Sequence, residues 1–138
     1  MDSIKAPALL AGRILLSILF ITSGWGKIVG YAGTAGYMEA MGVPSILLPL
    51  VILTEFVGGL AILVGFQTRI AAFLLAGFCV ISGYLFHYKA ISGTAGQEMM
   101  DMMNWLGFMK NITIAGGFLA LLGAGAGALS ADAKLGKA

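Results

Sequence analysis

The chain has 138 residues, of which 59% are Ala, Val, Ile, Leu, Met, Phe, Trp, Tyr or Cys and another 21 are glycine. Charged residues make up 10%, against roughly 25% in soluble domains, the net charge is +2, and the mean hydropathy is +0.98. A domain this small cannot hide so much apolar surface in one core, and so few dispersed charges make no basic face, so the composition excludes a cytosolic enzyme, a disordered chain and a nucleic-acid binder, and points to an integral membrane protein.

Four apolar stretches are long enough to cross a bilayer, which takes about 20 residues each: 7–28, 46–66, 70–88 and 105–126. Their runs are continuous rather than alternating, which argues against β-barrel strands. The expected fold is all-α: one transmembrane four-helix bundle over 1–138, with a short flexible tail at 127–138.

Pro7 opens the first span, as proline does at helix starts. The span carries Arg13 and is followed by no small-residue cleavage site, so it reads as retained rather than as a signal peptide. Arg13, Ser17, Phe20, Gly24 and Lys27 recur along one helical stripe. Ser23-Gly24-Trp25 closes the span and Gly33-Thr34-Ala35-Gly36 follows. Pro44 precedes the second span, which holds Glu55 near its centre with Gly59 on the same face, where a small residue lets another helix approach. Gln67-Thr68-Arg69 is a very short turn. In the third span Cys79 reads as packing, and Tyr84 and His87 share a face. Ser82-Gly83-Tyr84 and then Gly93-Thr94-Ala95-Gly96 echo the earlier segments about 60 residues on, which suggests two parallel helix–loop–helix repeats about an axis along the membrane normal. Chance similarity of Gly- and Ala-rich tetrapeptides is the alternative. Met99/Met102 and Met100/Met103 form overlapping pairs; soft thioethers suit Cu(I), but an amphipathic segment lying on the bilayer explains them more cheaply. The fourth span carries Lys110 and Asn111, and the GAGAG run at 123–127 reads as helix-end packing or fraying, because no GxGxxG or P-loop pattern, and hence no nucleotide site, is present. One cysteine and one histidine rule out an intramolecular disulfide, a CxxC pair, bis-histidine haem and a multi-histidine metal cage.

Four spans put both termini on one side. That side carries Lys5, Arg69, Lys134 and Lys137, and the far side Lys27 and Lys89, so the positive-inside rule favours cytoplasmic termini. Both tryptophans and all four tyrosines fall at the far side, which reads as an ordered cap there and a simple turn on the near side.

Ionisable groups in hydrocarbon are costly and mark function by default. Glu55 lies roughly 13 Å below the far-side end of its helix and Lys110 roughly 9 Å below the same face, while Arg13 lies roughly 9 Å in from the near side. Both cations are within reach of Glu55, Lys110 being the closer match, with Asn111 beside it able to supply hydrogen bonds. Lys27 and His87 are expected above this level, Lys27 as a snorkelling anchor or a site residue, His87 as an interfacial residue or a ligand contact. The picture is a polar interior pocket opening to the far side. Against it stands a purely structural reading, in which a buried ion pair only fixes helix register.

These residues also resemble a known family. GRILLSILFITSGWGKIVGYAGTAGYMEAMGVP, the Glu55 span followed by GGLAILVGFQTR, and WLGFMKNITIAGGFLALL are similar to the DoxX family of small bacterial membrane proteins, over roughly residues 8 to 130. The resemblance implies a four-span inner-membrane bundle tied to respiratory or thiol redox chemistry, with relatives linked to quinol oxidase, thiosulfate–quinone oxidoreduction and quinone stress. It carries the motif positions Arg13, Lys27, Glu55, His87, Lys110 and Asn111.

Two functions from different classes follow. One is a quinone-interacting subunit of an oxidoreductase system, with Glu55, Lys110 and Arg13 as the reactive group, Lys27, His87, Tyr84 and Asn111 contacting the quinone, no metal, and electrons supplied by a partner. The other is a non-catalytic scaffold that assembles a larger complex through small-residue helix faces. Either one implies the lipid bilayer and a protein partner or homo-oligomer as company, and neither involves nucleic acid or nucleotide.

Overall fold

The computed structural model describes residues 2–137, which are helical apart from short connections and contain no strand. Helix α1 runs Asp2–Val29 and α2 Tyr31–Ala40. The second span, Ser45–Val64, is a composite of a 3-10 turn, α3 Leu48–Ile52, a π-helical segment Leu53–Val57 and α4 Gly58–Val64. Helix α5 is Thr68–Phe86, α6 is Glu98–Ala124 and α7 is Ala131–Lys134. Four of these segments are long and apolar enough to cross a membrane, which bears out the all-α four-span bundle.

The burial pattern is that of a protein dissolved in lipid. Arg13 and Ser17 are 0% exposed, whereas Leu15 is 72%, Ile46 83% and Phe73 63% exposed. Such a surface is stable only where acyl chains cover it. Inside, Phe20, Ile62, Leu75 and Phe118 share one apolar cluster, with the Phe20 and Phe118 rings edge to face at 5.3 Å. Helix α1 packs on the second span, and α5 and α6 form the most extensive pair. Small residues set the first contact: a Cβ on Gly24 would lie 2.8 Å from the Phe56 backbone, and one on Gly59 2.9 Å from Ile21. The close approach expected at Gly59 is therefore present.

Several boundaries differ from expectation. Helix α1 starts five residues earlier and encloses Pro7 as its sixth residue, at the loss of one backbone hydrogen bond in the second turn. Helix α6 starts at Glu98, seven residues early, because Glu98 and Asp101 complement the positive end of the helix. Their carboxylates also take the loop amides of Gly96 and of Ser92 and Gly93. The Met99–Met103 segment is thus the exposed first turns of this helix, continuous with the span. The two Gly-Thr-Ala-Gly segments do not match in conformation. The first is helical within α2; the second is loop, with Gly93 and Gly96 at φ of +67° and +89°.

The near side departs most from the simple turn expected there. Residues 127–137, expected as a flexible tail, fold back and cap the bundle. Ser130 caps α7 by accepting from the Ala133 amide. Buried Asp132 accepts from the Gln67 and Thr68 amides at 2.8 and 2.9 Å, the start of α5. This steadies Gln67, held at φ +48°, in a left-handed conformation costly for any residue with a side chain. Arg69 donates to the Leu122 and Gly123 carbonyls at the end of α6. Burial pushes the Asp132 carboxyl up, but hydrogen bonds from Thr68 and Gln67 outweigh it and hold the group below its ordinary range. A depressed carboxylate stabilises the fold above its unfolded value, and this is lost as pH falls through the folded one. Acid titration below about pH 4 is expected to release the tail in wild type, read as faster amide exchange of residues 130–137. An Asp132→Asn protein should show that exchange already at neutral pH; equal exchange in the two proteins would refute the assignment.

Candidate functional site

The π-helical segment puts one extra residue into the turn around Glu55, a feature that often re-aims a side chain at functional sites. Glu55 is 5% exposed and faces α1, where Lys27 Nζ donates to its Oε2 at 2.8 Å. This is the one ion pair among the described residues. By helix rise alone Lys27 lies above Glu55, with Lys110 and Arg13 as the expected partners of that carboxylate; in the structure Lys27 is the partner and neither of the other two is bonded to it. Cα depth is a poor guide to a lysine, whose four-carbon stem carries the ammonium down along an apolar wall. Arg13 instead points to the near side. Its guanidinium donates to the carbonyls of Ile62 at 3.4 Å and Leu63 at 3.0 Å, and to that of Leu129. The Leu63 carbonyl ends α4 without a helical donor, that of Ile62 also accepts from the Gly65 amide, and the third lies in the folded tail. Arg13 is a brace between chain segments, not part of the Glu55 site.

A cavity of about 330 Å³ opens beside the ion pair. Lys27, Glu55, His87, Lys110 and Asn111 all line it, so five of the seven residues selected from the sequence converge. Asn111 Nδ2 donates to Ser82 Oγ at 3.3 Å. The His87 ring is seated against Gly107, where an added Cβ would lie 2.7 Å from Nδ1. Tyr84 does not join them. It is exposed on the other side of α5 and stacks on Tyr88 at 5.7 Å. Tyr88 in turn packs on Phe108, and Phe108 on Trp105, a row of rings suited to a membrane interface.

Part of the wall comes from a segment that carries no span signal in the sequence. Helix α2 contributes Thr34, Tyr37 and Met38, with Tyr37 stacked on Phe86 at 5.6 Å. The far-side mouth expected from the sequence is therefore partly roofed. Cys79, read as packing, is buried in the apolar cluster as expected and also lines the cavity. A signal for it existed: Cys79, Ser82, Phe86 and His87 follow i, i+3, i+7 and i+8 along α5, one helical face.

The cavity combines aromatic walls from Phe20, Phe78 and Phe86 with cationic and amide donors. That arrangement suits a flat ring bearing oxygen acceptors. The sequence profile of the DoxX family matches residues 8–88. The chain belongs to the DoxX family. The matched part of this DoxX protein includes Arg13, Lys27, Glu55 and His87, while Lys110 and Asn111 lie beyond it. It is 54% identical over 137 residues to "Inner membrane protein YqjF" of Escherichia coli (strain K12), covering 99% of this chain and 98% of the relative. It is 35% identical over 130 residues to "Inner membrane protein YphA" of the same organism, covering 91% and 89%. It is 27% identical over 109 residues to "Putative oxidoreductase CatD" of Bacillus subtilis (strain 168), covering 79% and 80%. No solved structure matches this DoxX protein. Four spans and two inner-membrane relatives make it a multi-pass membrane protein.

Proposed function

We propose that this DoxX protein is a quinone-interacting component of a membrane oxidoreductase system, set in the inner membrane with both termini in the cytoplasm. The observation that carries the reading is the cavity itself: phenylalanine walls, a half-buried Lys27–Glu55 pair, and Lys110, His87 and Asn111 along the same lining. Its volume is at the lower end of small-molecule sites, enough for a quinone head ring whose isoprenoid tail lies in lipid. When bound, the quinone supplies two-electron, two-proton redox chemistry, with electrons delivered by a reduced partner. The chain's own groups hold and polarise the ring: Lys110 and His87 offer donors to its oxygens, and Glu55 is the carboxylate placed to hold a proton at the cavity wall. The name of the Bacillus relative supports the redox class. The orientation follows from Lys5, Arg69, Lys134 and Lys137 on the near side. Lys27, counted on the far side, is neutralised by Glu55, which strengthens that bias.

Purification from native membranes in mild detergent tests the reading. Quinone is expected to co-purify with wild type and to be lost from Glu55→Gln and Lys110→Ala while both variants keep their helical circular dichroism. Absence of quinone from wild type, with a stoichiometric protein partner in its place, would overturn it in favour of the scaffold reading. One observation favours that alternative. Gly116, Ala120 and Gly123 form an exposed small-residue stripe on α6, with open space above both glycines, as at helix–helix contacts in membranes.

A further inference from the structure

Of the two lysines that line the cavity, only Lys27 has a carboxylate partner among the described residues. The chain has six acidic residues. Glu55 is taken by Lys27. Glu39 lies on α2 and accepts from Ser45. Glu98 and Asp101 hold the loop before α6 through its amides. Asp132 caps α5 at the near side, and Asp2 starts α1 at that same end. None remains for Lys110, which lines the cavity more than three turns into α6 and has no acidic partner among the described residues. The neighbouring polar groups bring no negative charge: Asn111 and Ser82 are neutral and bonded to each other, and His87 on the same wall has no carboxylate either. An ammonium at membrane depth requires a counter-charge or strong acceptors.

We infer that the counter-charge comes from the ligand: the cavity takes an aromatic ring bearing an ionised oxygen, such as a hydroxyquinone anion, with that oxygen on Lys110. This rests on the quinone reading above and narrows it from quinones in general to acidic ones. The Lys27–Glu55 pair is already neutral as a unit, so Lys110 leaves the lining with a net positive charge that an uncharged quinone does not balance. The phenylalanine walls take the ring, and the anionic oxygen supplies the counter-charge that Lys110, exposed along the cavity rim, lacks within the described residues.

The test uses the full-length protein in a non-ionic detergent and isothermal titration with three probes: 2-hydroxy-1,4-naphthoquinone, which is ionised at neutral pH, its uncharged 2-methoxy ether, and 2-naphthoate, an anion that is not a quinone. Wild type is expected to bind the acid roughly tenfold or more tighter than the ether, the scale of one charge-assisted hydrogen bond. Lys110→Gln should erase that preference and Lys110→Arg should keep it. Equal or tighter binding of the ether by wild type overturns the inference and leaves the quinone reading standing. Lys110-dependent binding of 2-naphthoate with no binding of either quinone sustains the anion requirement and removes the quinone. Binding of none of the three removes both. Adding phosphatidylglycerol tests the other source of an anion: if this lipid displaces the acid through Lys110 and binds more tightly, the site holds a lipid phosphate and the inference fails.

Discussion

Replacing Lys27 with methionine is expected to destabilise the bundle by about 3 kcal/mol, while replacing Glu55 with glutamine costs about 1, although both changes break the same 2.8 Å pair. The asymmetry comes from where each partner can go. Lys27 sits in the last turn of α1 with its side chain 27% exposed, so without Glu55 its ammonium can swing to the far-side interface. Glu55 is fixed in the π-helical segment with its side chain 6% exposed, and has no comparable escape. A glutamine there keeps the shape and can still accept from Lys27. Joining the two lesions in Lys27→Met/Glu55→Leu should recover most of the loss, because an apolar pair of similar volume needs no desolvation. Unfolding in mixed detergent–SDS micelles gives the three values. Equal costs for the two single variants would refute the account of Glu55 as the trapped partner.

Where the sequence was legible, one physical signal dominated. Four long apolar runs in a chain with 10% charged residues leave little choice but a membrane bundle. The cost of burying charge then picked out Glu55, Lys110 and Arg13; the first two line one cavity, together with Lys27 and His87, and Arg13 does not. Pairing was not legible. It depends on side-chain reach and on the π-helical turn, and neither follows from 1.5 Å of rise per residue. Nor was α2: a segment with three glycines or alanines in Gly33-Thr34-Ala35-Gly36 carries weak local preference, and it is helical here because Met38 is buried with Val43 and Leu48 and Tyr37 stacks on Phe86. Tyr84 was misassigned for a related reason. Sharing a face with His87 in an ideal helix is not enough where the chain turns into the 3-10 segment Tyr88–Ala90 and His87 departs from helical geometry, with φ at −118°.

The near side shows the same division. Arg13, Arg69 and Asp132 were visible as charges, but their work is to satisfy helix ends, which only the fold reveals. Each reaches a terminus that lacks partners within its own helix: Arg13 the end of α4, Arg69 the end of α6, Asp132 the start of α5. In a membrane protein this side-chain capping replaces much of what water does at the ends of soluble helices. Gly65 belongs to the same device. It ends α4 at φ +72°, and any side chain there would collide with the Arg13 guanidinium.

Arg13→Met should therefore be among the most damaging substitutions in the chain, at about 3 kcal/mol, because it removes the side-chain donor from three carbonyls at once, of which Ile62 keeps a backbone donor. Arg13→Lys should recover only part, since an ammonium lacks the planar fork that reaches both α4 and Leu129. The loss is also expected to be coupled to the tail. Arg13 holds Leu129 and Asp132 holds Gln67 and Thr68, so both fasten the 127–137 segment to the bundle. Once one is cut, the other has less to hold. Arg13→Met combined with Asp132→Ala is thus predicted to cost less than the sum of the two single changes, by about 1 kcal/mol. Unfolding in mixed micelles supplies the cycle, and quinone content supplies a control. Arg13 lies outside the cavity lining, so Arg13→Met protein that remains folded should retain whatever quinone the wild type carries. Strict additivity would mean that the two residues brace independent parts, and loss of quinone from folded Arg13→Met protein would return Arg13 to the site from which its geometry excludes it.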